Sequence, residues 1–150
     1  MSEHASFFQW NASLDPVATA TAYERLPKID PQCCSSCVTL LYAIHENALP
    51  PEVARFLKSA GVDSQKAVLV CGSPEEGSLD ASWIIIGELH GGRWDGRTET
   101  AFMEPVVGFK CWLADVTMIP PAFAGQELFQ LEFEWRGLGV QELHGRATTV

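Results

Sequence analysis

Pro50 and Pro51 stand side by side, and no regular element can run through the pair. Proline pushes the residue before it toward extended geometry and has no N–H to donate, so a helix arriving at Leu49 must stop there. Pro51 nonetheless suits the first position of a new helix, with Glu52 in the first turn facing the positive end of the helix dipole. Two short helices meeting at an angle follow from this dipeptide. The first is predicted over about 36–48, capped by Ser35 or Ser36, with Val38, Leu41, Tyr42, His45 and Leu49 on one stripe at spacings of three and four. His45 on that stripe reads as a core-edge histidine. The second is predicted over about 51–60, where Val53, Phe56, Leu57 and Ala60 form the apolar stripe. Gly61 suits the left-handed position after a helix, and Val62 can then fold back onto Leu57.

Helices this short need a surface to lie on, and from Ala67 the apolar period changes to two. Residues 67–71 read as a short buried strand. Residues 82–90 are apolar on both faces and read as a central strand. A fragment at Phe102–Met103 and a longer run over 106–116 continue the pattern. The final strand alternates most cleanly: Phe129, Leu131, Phe133 and Trp135 point one way, while Gln130, Glu132, Glu134 and Arg136 point the other. Burying those four apolar side chains is worth about 6–10 kcal/mol before chain entropy is counted. The opposite face, polar throughout, is expected to be wet.

The fold class expected is therefore α+β. It is a mainly antiparallel sheet of about four to six strands over 66–136, with the helix pair of 33–62 packed on one face. Residues 1–32 read as an N-terminal arm, in which Phe7, Phe8 and Trp10 form an edge strand or a clasp over the core. Asp15-Pro16 opens a helix there that ends before Pro27. Residues 137–150 read as a tail. A chain of 150 residues forms one ordinary domain, long enough to bury roughly 70% of its unfolded surface.

Composition narrows the function classes. With 47% hydrophobic and 19% charged residues, the chain is not of the disordered type. No apolar run approaches the ~20 residues needed to cross a bilayer. The N-terminus has no basic leader followed by an apolar stretch, so a cytoplasmic location is expected. Net charge is −9. Glu75, Glu76, Asp80 and Glu88 stand between Lys66 and Arg93 without a base among them. Such a field repels phosphate backbones and anionic lipids and favours cationic partners, so neither nucleic acid nor membrane is expected as a partner.

The candidate chemistry is sparse. The five cysteines are an odd number, and reduced thiols are expected rather than a disulfide framework. Cys33, Cys34 and Cys37 place a C-x-x-C at a helix start, where the dipole lowers a thiol pKa. Cys34 and Cys37 also supply half a zinc site, with His90, His45, Cys71 or Cys111 to complete it. No second C-x-x-C and no H-x₃₋₅-H follows, so the thiols, Cys71 and Cys111 included, read as small core residues and no cofactor is expected; zinc is the alternative. Glu88 and His90 lie two apart on one strand, with Asp95 in the loop beyond. They form either an acid–base cluster or, more simply, a polar strand end before a turn. No GxSxG, Walker loop, GxGxxG or HExxH occurs.

Trp83, Trp112 and Trp135 fall in strands and read as core. Trp94, in the loop Gly91–Gly96 between Arg93 and Asp95, resembles an exposed anchor for a partner. The expectation is a small acidic binding protein, an inhibitor of the immunity or antitoxin type that neutralises a basic partner such as a toxin. Glu75, Glu76, Asp80, Trp94, Glu132 and Glu134 would form the surface. The alternative is a zinc- or thiol-dependent enzyme built on Cys34, Cys37 and His90.

Overall fold

The computed structural model describes residues 2–27, 49–73, 78–90 and 102–136. In chain order these hold β1 (Glu3–Phe7), β2 (Trp10–Leu14), α1 (Pro16–Glu24), α2 (Pro51–Ser59), β3 (Val68–Ser73), β4 (Ser78–Leu89), β5 (Met103–Val106), β6 (Phe109–Ala114), a single 3₁₀ turn (Pro121–Phe123) and β7 (Leu128–Arg136). The class is α+β, as expected. All described strand pairs are antiparallel, in a seven-stranded sheet ordered β1-β2-β4-β7-β6-β5, with β3 also paired to β4. The sheet is thus slightly wider than the four to six strands expected, because the N-terminal hairpin β1–β2 joins it. The helix expected over 36–48 lies outside the described residues, as do the 91–96 loop and the 137–150 tail.

Twelve-residue β4 organises the rest. Along one edge it pairs with β7 in an unbroken register from Ser78↔Arg136 to Ile86↔Leu128. Its other edge is shared: β3 takes the stretch from Ser78 to Ser82, and β2 takes Gly87 to Leu89. Between them lies a gap at Ile84–Ile86 whose backbone groups need partners, since a buried unpaired N–H or C=O is costly.

Helix α1 fills that gap. Asp15 caps it by accepting from the Ala18 N–H (3.1 Å), and Pro16 takes the first helical position. Tyr23 then donates its hydroxyl to the Ile84 carbonyl (2.8 Å). The Ile86 N–H donates to Thr19 Oγ1 (3.1 Å), and the Asp15 N–H donates to the Ile86 carbonyl (3.0 Å). Thr19 and Tyr23 are both buried. Burial raises the Tyr23 pKa far above its ordinary value, so the hydroxyl stays a donor. Here the β-branched Thr19, which weakens a sequence-based helix assignment, serves as a hydrogen-bonding wedge.

The two faces of the sheet differ. On one, Leu79, Ala81, Trp83 and Ile85 of β4 stand opposite Trp135, Phe133, Leu131 and Phe129 of β7, and those meet Phe109, Cys111 and Leu113 of β6. This is the main core, and Leu49, Val53, Phe56 and Leu57 join it, with Phe56 stacked on Phe7 of β1 at 4.4 Å. Helix α2 is as expected: Pro51 opens it, Glu52 is in its first turn, and Gly61 follows its end at φ +81°. The Val62 N–H returns to the Leu57 carbonyl (3.0 Å) and the Gly61 N–H to the Lys58 carbonyl (3.2 Å), which together close the cap. Just beyond, the Ser64 carbonyl accepts from the indole of Trp83 (3.0 Å). On the other face, Ile84 and Ile86 form a smaller core with Ala22, Tyr23 and Phe123 beneath α1.

Candidate functional site

Helix α1 covers only the middle of that second face and leaves two polar ends exposed. Toward the start of β4, register brings Asp80 opposite Glu134 and Ser82 opposite Glu132, while Glu132 faces Trp112 of β6 and Glu134 faces Lys110. Three of the acids expected to form a partner surface, Asp80, Glu132 and Glu134, are therefore neighbours on one face. They border a depression of about 310 Å³ that Cys71, Ser82 and Trp112 also line. Glu75, Glu76 and Trp94 lie outside the described residues.

These carboxylates are not equivalent. Glu132 accepts hydrogen bonds from the Trp112 indole N–H and the Gln130 amide, which hold it in place. Glu134 is paired with the exposed Arg136 at 2.6 Å, a contact of modest worth at such a site. Lys110 shares the face but places its ammonium 4.7 Å from the centre of the Phe102 ring. The backbone of Asp80 is paired to β3 and β7, and its carboxylate borders the depression beside Glu134. Partial burial, and then the nearby charge of Glu134, push its pKa above the usual carboxylate range, with Arg136 pulling weakly the other way.

That shift has a consequence for stability. A carboxyl whose pKa rises on folding is most favourable below its unfolded value, and its contribution is lost as pH climbs through the folded value. Asp80→Asn is therefore expected to be more stable than wild type near neutrality. The advantage should shrink to nothing as the pH falls below about 3.8. Urea midpoints measured across that range check this; a variant weaker than wild type at neutral pH would refute it.

Two expectations on this face are corrected. The face opposite Phe129–Trp135 is not wet throughout: Gln130 is fully buried, and Ile84 and Ile86 lie under α1. Cys71, read as core, is exposed in a strand bonded only to β4 among the described strands. Trp112 is buried in the main core cluster, as expected, and its indole N–H donates to Glu132. Cys111 is buried as expected, and burial pushes its thiol up to about 12. Burial and the charge of Asp80 also raise the Cys71 thiol, which disfavours the thiolate.

At the other end of the same face lie Glu88 and His90, past the reach of α1. Glu88 stands opposite Ser13, which in turn stands opposite His4 across β1–β2. His90 Nε2 lies 2.7 Å from Ser13 Oγ, and the His90 backbone N–H donates to the Asn11 carbonyl (2.9 Å). Sequence reasoning did not single out Ser13; the residues lie 77 apart in the chain, and only the β2–β4 pairing brings them together. Cys33, Cys34, Cys37 and His45 lie outside the described residues, so of the zinc candidates only His90, Cys71 and Cys111 are within them. Among the described residues no three His, Cys, Asp or Glu side chains are placed to hold a metal ion. Among them too, no helix is long and apolar enough to cross a membrane.

Comparison with protein-family models, with curated proteins and with solved structures found no match to this chain.

Proposed function

We propose that this is a small acidic binding protein of the cytoplasm, an inhibitor of the immunity or antitoxin type, which engages a basic partner such as a toxin through the Asp80 end of the sheet. The observation that carries the reading is the juxtaposition of Asp80 and Glu134 on paired strands, with Glu132 fixed beside them. A partner's ammonium or guanidinium placed over Asp80 would oppose both the burial and the repulsion from Glu134 that raise its pKa. A carboxylate already fixed, as Glu132 is by Trp112 and Gln130, loses little freedom on binding. Opposed charge over the rest of the molecule would speed the encounter and make it sensitive to salt.

The test is association kinetics against cationic nucleases and cationic proteins without nuclease activity, at low and physiological ionic strength. Replacing Asp80, Glu132 and Glu134 together by lysine should slow association with the cognate partner by roughly tenfold or more at low salt, and by less at high salt. An on-rate indifferent to the triple reversal would dismiss the proposal.

A further inference from the structure

We propose that Ser13 is a nucleophilic serine, with His90 as its general base, that takes the acyl group of a small ester at the end of the sheet remote from Asp80. A serine hydroxyl is a poor nucleophile alone and becomes a good one when a base lies within hydrogen-bond reach. Here Ser13 Oγ is 2.7 Å from His90 Nε2, inside the range in which proton transfer accompanies attack. Neither partner dangles. Ser13 is half-buried in a strand paired on both sides, opposite His4 and opposite Glu88, and His90 is tied to Asn11 through its backbone. The imidazole is exposed, so the pair is open to a ligand from solvent.

The surroundings bear on the substrate. A depression of about 320 Å³ adjoins Ser13, with Asp15, Glu88, Gln126 and Glu127 on its walls. Those carboxylates disfavour an anionic substrate and suit a neutral or cationic ester. Glu88 stands opposite Ser13 on the paired strand, and His90 follows directly after the end of β4. The chemistry closes as follows. Ser13 Oγ attacks the ester carbonyl carbon while its proton passes to Nε2 of the neutral ring, which carries its own hydrogen on Nδ1. The bond from that carbon to the alcohol oxygen breaks, and the alcohol leaves with the proton from Nε2. Water then attacks the acyl-serine, giving its proton to His90 and from there to Ser13 Oγ, which releases the acid. Any such activity would be separate from the acidic end, since α1 lies between the two.

The experiment is covalent labelling of the whole chain with a fluorophosphonate probe at neutral pH, read by peptide mass spectrometry. Phosphonylation is expected at Ser13, absent in Ser13→Ala, unchanged in Ser6→Ala, and slowed at least tenfold in His90→Gln with the melting temperature of wild type. No adduct at Ser13, or an adduct formed as fast in the folded His90→Gln variant, would overturn the assignment.

Discussion

Replacing Gly61 by valine should cost about 3 kcal/mol or more, enough to remove a large share of the stability of a domain this size. Two separate costs contribute. The first is conformational: φ is +81° at Gly61, a region that costs an L-residue roughly 1–2 kcal/mol, more when it is β-branched. The second is not visible in the cap itself. A Cβ at Gly61 would sit 2.2 Å from the carbonyl oxygen of Pro16, at the first turn of α1. The glycine is therefore also the point at which the end of α2 touches the start of α1, and a side chain there must push the two helices apart. Gly125 separates the terms, for it has φ +78° with nothing within 4 Å of the added carbon. Gly125→Ala should lose only the conformational cost, about 1 kcal/mol, and Gly61→Ala clearly more. Urea denaturation of the four proteins decides it. Equal losses at the two glycines would show that the contact with Pro16 carries no weight.

The second large effect is expected where α1 plugs the edge of β4. Thr19→Val keeps the shape of the side chain but leaves the Ile86 N–H, now bonded to Thr19 Oγ1, without an acceptor in a dry site. The expected loss is about 1–3 kcal/mol, the cost of an orphaned buried donor. Tyr23→Phe leaves the Ile84 carbonyl unpaired and should cost about 1–2 kcal/mol. The two sites act on one strand segment, so their effects should fall short of additive. Native-state hydrogen exchange supplies a readout at the bond itself: the Ile86 amide should exchange faster in Thr19→Val than in Thr19→Ser, which keeps the hydroxyl. If Thr19→Val melts like wild type and its Ile86 amide stays protected, the plug is decorative.

What could be read in advance follows how local each cause is. Pro50-Pro51 and Gly61 act within a turn, and the structure has α2 and its cap where those residues put them. The alternation from Phe129 to Trp135 is likewise a property of one strand, and its apolar half is the main core. The double-sided apolar run in β4 was legible as a central strand, but its cause was not. Ile84 and Ile86 are apolar because α1 covers them, and α1 gives a faint signal because Thr19 and Tyr23 dock through hydroxyls. The same blindness hid the burial of Gln130 and the exposure of Cys71, since each depends on which strand or helix lies alongside. For the acidic end, Asp80, Glu132 and Glu134 could be named from charge alone, while their adjacency needed the β4–β7 register. The Ser13–His90 contact could not be named at all, for it joins two residues 77 apart.

That separation has a bearing on how the molecule is made. β1, β2 and α1 leave the ribosome before β4, and the strand edge they close is not translated until some seventy residues later. At about 5–20 residues per second, Phe7, Trp10 and Tyr23 wait on the order of several seconds without their shelter. Chains arrested before β4 should therefore recruit holding chaperones, and the need should vanish once β4 and β7 have both emerged.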